Sequence, residues 1–401
     1  MPSLSSEKSA PAGAINNFLK LSLPLFFLIF LGGQGCLADE QASKPEPILI
    51  RVAVVKDARF ARIFIPGEFK ITDLMMNKAL FQESYLPSVN LTLCDKGFKL
   101  GDIPIDAEAI TIEQIGGTRI HINDRVYRGQ IKALKNGKGL MIVNTVDLEE
   151  YLYGVIRNEI STWWPMEAVK AQVIAARTYA LYQIKESKNK DYDVTADVSS
   201  QVYGGVFSEK WRTNRAVDLT AGKALTYKGA IFPAYFHATC GGATTDAALL
   251  WNINLPPLKG VNCGWCGKSP HFYWEKRMTL EEARLRLERS GYFVGGICGF
   301  EVATRDSSGR VISVAVKGEG GVVEIPGKDF RLIIGVDILR STNFRIIIEG
   351  DCVVFNGVGW GHGVGMCQWG AYYMSRAGKK TDEILSFYYP GAVVMDYKNV
   401  K

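Results

Sequence analysis

A change of period at Asp147 constrains this chain more than any other feature. From Ile48 to Val146 short alternating or β-branched runs, such as Ile48–Val55, Ile63–Ile65, Ala109–Ile115 and Gly139–Val146, are separated by turn residues. Alternation sends successive side chains to opposite faces, which is the pattern of half-buried strands. Asn136-Gly137 between two such runs predicts a hairpin turn. Met75–Tyr85 is read as one short helix within this region. After Asp147 the period becomes 3.6. Leu148, Tyr151, Leu152, Val155 and Ile156 share a helical face, and Asp147 with Glu150 has capping-box spacing. Ser161–Pro165 breaks the pattern. Pro165 suits a first helical position, and Val169, Val173, Ala176, Tyr179, Ala180 and Ile184 then form a second stripe. Further on, Thr279 and Glu282 cap a helix over Leu280–Ser290 that Gly291 stops. Strands return over Phe300–Phe355, followed by helices over Met366–Ala377 and Asp382–Tyr389. The fold class is therefore α+β, with a β-rich region over residues 48–139 and a mixed helix/strand domain over 140–401, the latter divisible near 275–355.

Composition narrows the class. A chain of 401 residues, 47% hydrophobic and 22% charged, has enough apolar surface for a large core. It is neither a disordered tail nor a disulfide-stapled miniprotein. The net charge of +6 comes without a long basic run, which speaks against nucleic acid as a partner. At the N-terminus, Lys8 and Lys20 precede the eleven apolar residues Leu21–Leu31. That run matches the core of an export signal and falls short of the ~20 residues that span a bilayer. Cys36-Leu37-Ala38 before Asp39 resembles a cleavage site, with lipidation of Cys36 as the rival outcome. The expectation is an exported protein, residues 1–38 being the leader and 39–47 a linker, with no transmembrane helix in the mature chain. Seven cysteines would then remain: Cys94, Cys240, Cys263, Cys266, Cys298, Cys352 and Cys367.

Three groups of residues have the composition of chemistry. Glu159 ends the first helix just before Trp163-Trp164-Pro165. Apolar aromatic surface beside a carboxyl raises its pKa and makes a general acid, unless the group is a solvated helix end. Arg177 faces the same crevice if the second helix folds back, and is otherwise a surface arginine. Gly357–Gly365 holds five glycines and His362 in nine residues. Such a backbone approaches a ligand closely, or forms a plain turn ahead of a helix. It lacks the Lys-Ser/Thr pair of a phosphate loop. Finally, Cys263-Gly264-Trp265-Cys266 with Cys240 and either His237 or His271 makes a tetrahedral zinc set, with disulfide pairing as the alternative.

Val146–Gln183 resembles the core of the sporulation stage II protein D family, whose members include the LytB-type amidase enhancers. Three blocks follow in the family's order: Gln201–Gly205, Phe236–Gly242, and Gly359–Ala371 with Ile384–Gly391. The resemblance runs from about Leu140 to Val394. It implies a glycan cleft and a lytic transglycosylase acting on peptidoglycan. The family's E-[MI]-x-x-x-[WF]-P glutamate, the catalytic acid/base, falls on Glu159, and its helix arginine on Arg177. In such an enzyme the muramic C6 hydroxyl attacks C1, so one carboxyl suffices and the product carries a 1,6-anhydro end. No cofactor is required for that chemistry, and any zinc is structural. Arg177, Gln201, Tyr203, His237, Gly361, His362, Gly363 and Gln368 are the implied glycan contacts. Asp197–Gln201 lacks the His and Cys with which some relatives bind zinc, leaving Cys240, Cys263, Cys266 and His271 as the candidate ligands. The alternative is a non-catalytic glycan-binding activator of an N-acetylmuramoyl-L-alanine amidase. Either reading places the protein in the periplasm or at the wall, with glycan strands and a cell-wall amidase as partners.

Overall fold

The computed structural model describes residues 47–400 apart from Thr118, Lys138 and Asn189. The expected leader, Cys36 and most of the linker lie outside the described residues. Twelve strands between Leu49 and Asp147 build two sheets. In the first, Leu49–Ala58, Gly139–Asp147, Gln130–Asn136, Ala109–Gln114, Phe69–Asp73 and Lys78–Glu83 lie side by side, all antiparallel, and Val194–Thr195 adds a parallel edge. The second holds Phe60–Ile65 and Leu86–Cys94 at its centre. The predicted alternation is visible: in Phe60–Ile65, Ala61, Ile63 and Ile65 are buried while Phe60 and Arg62 face solvent. The predicted Asn-Gly hairpin forms, with Asn136 paired to Gly139 and Gly137 at φ 57°. Met75–Tyr85 is not a helix. Asn77 turns at φ 48° and Lys78–Glu83 becomes the edge strand beside Phe69–Asp73. At an edge no residue of that segment is fully buried, so its alternation is faint and backbone pairing decides its state.

Helix α1 (Leu148–Glu159) begins as the sequence predicts, with Asp147 Oδ1 accepting from the N–H groups of Glu149 at 2.8 Å and Glu150 at 3.2 Å. Helix α2 (Met166–Glu186) follows Pro165, which occupies the cap position just outside the helix. Tyr151, Leu152 and Val155 of α1 and Val169 and Val173 of α2 complete the same core as Ile50, Ile63, Ile112 and Ile131 of the two sheets. The β-rich region and the helix pair thus share one interior. The other side of α2, at Ala171, Ile174 and Ala175, packs into a second core with Cys240, Leu258, Val364, Met366 and Tyr388. A helix buried on both sides is apolar nearly all round, and α2 reads so.

The remaining helices are α3 (Trp211–Leu219), α4 (Ala247–Trp251), α5 (Leu280–Arg289), α6 (Gly327–Ile334), α7 (Gln368–Arg376) and α8 (Thr381–Tyr388). Thr279 Oγ1 caps α5 through the Glu282 N–H at 3.0 Å, as expected. Met366-Cys367 does not open α7 but pairs in parallel with Phe236-His237. Helix α6 interrupts the strands expected over Phe300–Phe355, and it roofs a third core with Trp274, Leu287, Val314 and Phe355. Among the described residues, no helix is long and apolar enough to cross a membrane.

Candidate functional site

Glu159 is the last residue of α1, where the free carbonyls of a helix end disfavour negative charge. Its Oε1 accepts from the Val202 N–H at 3.1 Å, and the Gln368 amide bears on the same carboxyl. Burial outweighs both and pushes its pKa up to about 7. Among the described residues, the groups that act on it are neutral and no cation holds the carboxylate in its charged form. Nearby, Trp164 packs 5.1 Å from both Trp369 and Tyr372, so two aromatic residues of α7 flank the turn that follows Glu159.

A cleft of about 210 Å³ is lined by Tyr179, Val198–Gln201, Tyr235, Phe236, Trp251 and His362; Glu159 is not in that lining but is bonded to the backbone N–H of Val202, the residue after Gln201. Gln201 joins the two features. It is buried, accepts from Tyr151 Oη at 3.1 Å, donates to the Ala176 carbonyl at 3.3 Å, and precedes the Val202 N–H that binds Glu159. A larger cavity of about 780 Å³ lies around Tyr273, Arg305 and Arg345; Gly357 and Val358, which open the glycine-rich block, line it, but none of the expected glycan contacts does.

His362 also borders the cleft, but as a neutral ring. The Val364 N–H donates to its Nδ1 at 3.0 Å, so its Nε2 carries the proton and donates to the Phe236 carbonyl at 2.9 Å. Burial, helped by the Arg310 charge, lowers its pKa to about 3. His237 is likewise buried and held neutral, with Nδ1 on the Val364 carbonyl at 3.0 Å. Neither histidine titrates near neutrality, and Glu159 does.

Several expected glycan contacts lie elsewhere. Arg177 is fully buried and faces the opposite end of α1, where its Nε and Nη2 grip both carboxylate oxygens of Glu149 at 2.8 and 2.6 Å. Its Nη1 donates to the Lys223 carbonyl at 3.0 Å. Tyr203 is buried against Tyr151, with its hydroxyl on Asn144 Oδ1 at 3.0 Å. Gly363 is buried too, at φ 88°, and a Cβ there would stand 2.3 Å from the Arg310 guanidinium carbon. At Gly361 a Cβ would meet that of His237 at 2.8 Å. These glycines admit close packing beneath the loop, and the Gly361 N–H is already given to the Arg340 carbonyl at 2.9 Å.

Gln368 is placed beside Glu159, and it brings Gln172, which the sequence analysis did not single out. Gln368 Nε2 reaches Gln172 Oε1 at 3.4 Å, and both side chains are buried. The signal was present, since Gln172 is the one polar residue in Ala171–Ala176 of a helix with apolar sides. The sulfur group is also revised. Cys240, Cys263 and Cys266 converge with Cys367, all buried, with their Sγ atoms within 4.8 Å of one another. His271 is not part of the group. It packs edge-on to Trp360 at 4.8 Å and Trp369 at 6.0 Å.

Residues 136–227, which contain Glu159 and Gln201, match the family model described as stage II sporulation protein. Residues 262–365 match a model described as a domain of unknown function, DUF8618. An uncharacterized protein of Brachyspira hyodysenteriae is 34% identical over 353 residues, 88% of this chain and 94% of its own length. Stage II sporulation protein D of Bacillus subtilis is 31% identical over 270 residues, covering 63% of this chain and 76% of that protein. The amidase enhancer of the same organism is 30% identical over 291 residues, 61% of this chain but 40% of its own. With the ordered sequence blocks and a glutamate–glutamine site assembled from three of them, the chain belongs to the stage II sporulation protein D family.

Proposed function

We propose that this protein is exported to the cell wall and cleaves peptidoglycan glycan strands as a lytic transglycosylase, with Glu159 as its acid/base. The observation that carries the reading is a single carboxyl with a pKa of about 7, bonded to the backbone N–H that follows the cleft-lining Gln201. Such a group is populated in both protonation states near neutral pH, as a residue that first gives and then takes a proton needs. Glu159 protonates the glycosidic oxygen while the bond from muramic C1 to that oxygen breaks. The muramic C6 oxygen then bonds to C1, and Glu159 takes the C6 hydroxyl proton, which restores the acid. No water enters the products, so no second carboxylate is needed. Tyr179, Tyr235 and Trp251 offer the aromatic faces that sugar rings pack against.

The experiment is digestion of purified glycan strands, with and without stem peptides, by the mature chain. Mass spectrometry should find anhydromuramic ends, and hydrolysed reducing ends would refute the mechanism. The similarity to an amidase enhancer supports a second reading, in which the same cleft holds glycan for a separate amidase. Glycan binding and amidase stimulation without any new anhydro ends would establish that one instead.

A further inference from the structure

The four thiols of the second core have no part in the proposed glycan chemistry. Cys240, Cys263, Cys266 and Cys367 come from three separate stretches of chain and are at most 2% exposed. Their sulfurs converge on one point; they are not set out as two pairs. The Cys240 and Cys266 sulfurs are 3.4 Å apart, and all four lie within 4.8 Å. Zinc–thiolate bonds of ~2.3 Å imply a sulfur tetrahedron with edges of about 3.8 Å, which falls inside that spread. A disulfide would require about 2.05 Å.

The surroundings are those of a thiolate cluster. The N–H groups of Cys240 and Gly370 both point at Cys367 Sγ at 3.3 Å, and Tyr388 Oη lies 3.1 Å from Cys263 Sγ. Arg310 is an independent observation. It is 3% exposed, and its Nη2 donates to the Cys240 carbonyl at 2.8 Å while Nε and Nη1 have no protein acceptor. Its charge interacts with Cys240, with the carboxylate of Asp306, and with Cys367 and Cys266. A buried guanidinium with two unused donors is costly beside four neutral thiols. A divalent ion held by four thiolates carries a net charge of −2, and Arg310 then faces an anion. Gly363 is the residue whose missing side chain lets the guanidinium in.

From this convergence we infer that Cys240, Cys263, Cys266 and Cys367 bind a structural zinc ion in an all-thiolate site, with Arg310 as its buried counter-charge. Soft sulfur donors in a closed tetrahedral set select zinc over hard cations. The ion clamps the Phe236–Gly242 segment, the Cys263–Cys266 loop and the start of α7 to one another. Cys367 immediately precedes Gln368, so the clamp also fixes the amide beside Glu159. The inference stands whether or not Glu159 cleaves glycan.

The test uses the mature chain exported from a host grown with zinc and purified without chelator. Metal analysis should find about one zinc per chain, with all seven thiols reactive after unfolding without reductant. A zinc-free protein overturns the inference, whether four thiols are missing as two disulfides or all are free. Replacing zinc by cobalt should give the thiolate charge-transfer intensity of four sulfur ligands. A spectrum of three sulfurs and one nitrogen, altered in His271→Ala, would overturn it in favour of His271. Cys367→Ser should lose about a quarter of that intensity and weaken zinc binding at least ~10-fold. If that variant does not fold, the wild-type cobalt spectrum still decides between the two ligand sets.

Discussion

The two ends of α1 each carry a carboxylate, under opposite conditions. At the first turn, Glu149 meets the favourable end of the helix dipole and both of its oxygens are taken by Arg177. At the last residue, Glu159 meets the unfavourable end and receives only a backbone N–H and an amide. Both residues are half-buried, so exposure alone does not distinguish structure from function. What distinguishes them is whether the charge is paid for by a partner. The paired end is a clamp that holds α1 to α2 and to the Lys223 carbonyl. The under-paired end keeps a proton near neutrality, as the proposed acid/base role requires.

The largest effect expected from that contrast is on cleavage. Glu159→Gln keeps the Val202 contact and removes the transferable proton, so glycan cleavage should fall ~10²–10⁴-fold, about 3–5.5 kcal/mol of barrier. Equal anhydro-product yields from wild type and variant would break the comparison at once. In the wild type, kcat/KM should decline above pH 7, where the acid loses its proton, and a profile flat to pH 9 would contradict the pKa of about 7.

Arg177→Ala should act on stability and leave cleavage per folded molecule intact. Removing one partner of a buried pair typically costs about 3–5 kcal/mol. Glu149 is partly exposed and can rehydrate, so the lower figure is expected in urea unfolding. A fully stable Arg177→Ala protein that no longer cleaves would move the arginine into the cleft.

Glu159→Gln should itself stabilise the fold, and more so as pH rises. A folded pKa raised above the unfolded value means that the native state holds the proton more tightly. Stability is therefore greatest below pH 4.5 and is lost as pH climbs towards 7, after which the deficit is constant. With a shift from 4.5 to about 7 and a carboxyl that is not wholly enclosed, the variant should gain about 1–3 kcal/mol at pH 8 and nothing near pH 4. Denaturant midpoints at the two pH values measure it, and a gain that grows on acidification has the wrong sign. The smallest effect belongs to Tyr203→Phe. Loss of its hydroxyl bond to Asn144 should cost about 1 kcal/mol and leave glycan binding unchanged, since the ring does not reach the cleft.

Much of the fold was legible because its signals are local. Asp147 and Thr279 cap helices with their own side chains, Asn136-Gly137 turns within four residues, and α1 shows its apolar face over three turns. Lys78–Glu83 misled because an edge strand leaves no clean alternation, and its partner is set by the sheet. The candidate site was legible at Glu159, where carboxyl and tryptophans are neighbours in sequence, and at Gln368 through the family blocks. It was not legible at Gln172, Arg310 or the fourth cysteine. Those residues meet their partners across 196, 70 and 127 positions of chain.

By itself the sequence determined the α+β class and the change from strands to helices at Asp147, and through the family resemblance it pointed to Glu159 as the candidate acid. Only the tertiary structure decided that Arg177 serves Glu149 and not the cleft, that His362 is neutral, that Cys367 and not His271 joins the other three cysteine sulfurs, and that the pKa of Glu159 is raised to about 7. The physical reason is the range of the forces. Helix caps, turns and periodicity are settled within one or two turns of backbone. Desolvation and hydrogen-bond satisfaction depend on which distant atoms fill the space around a group, and those neighbours exist only once the chain has folded.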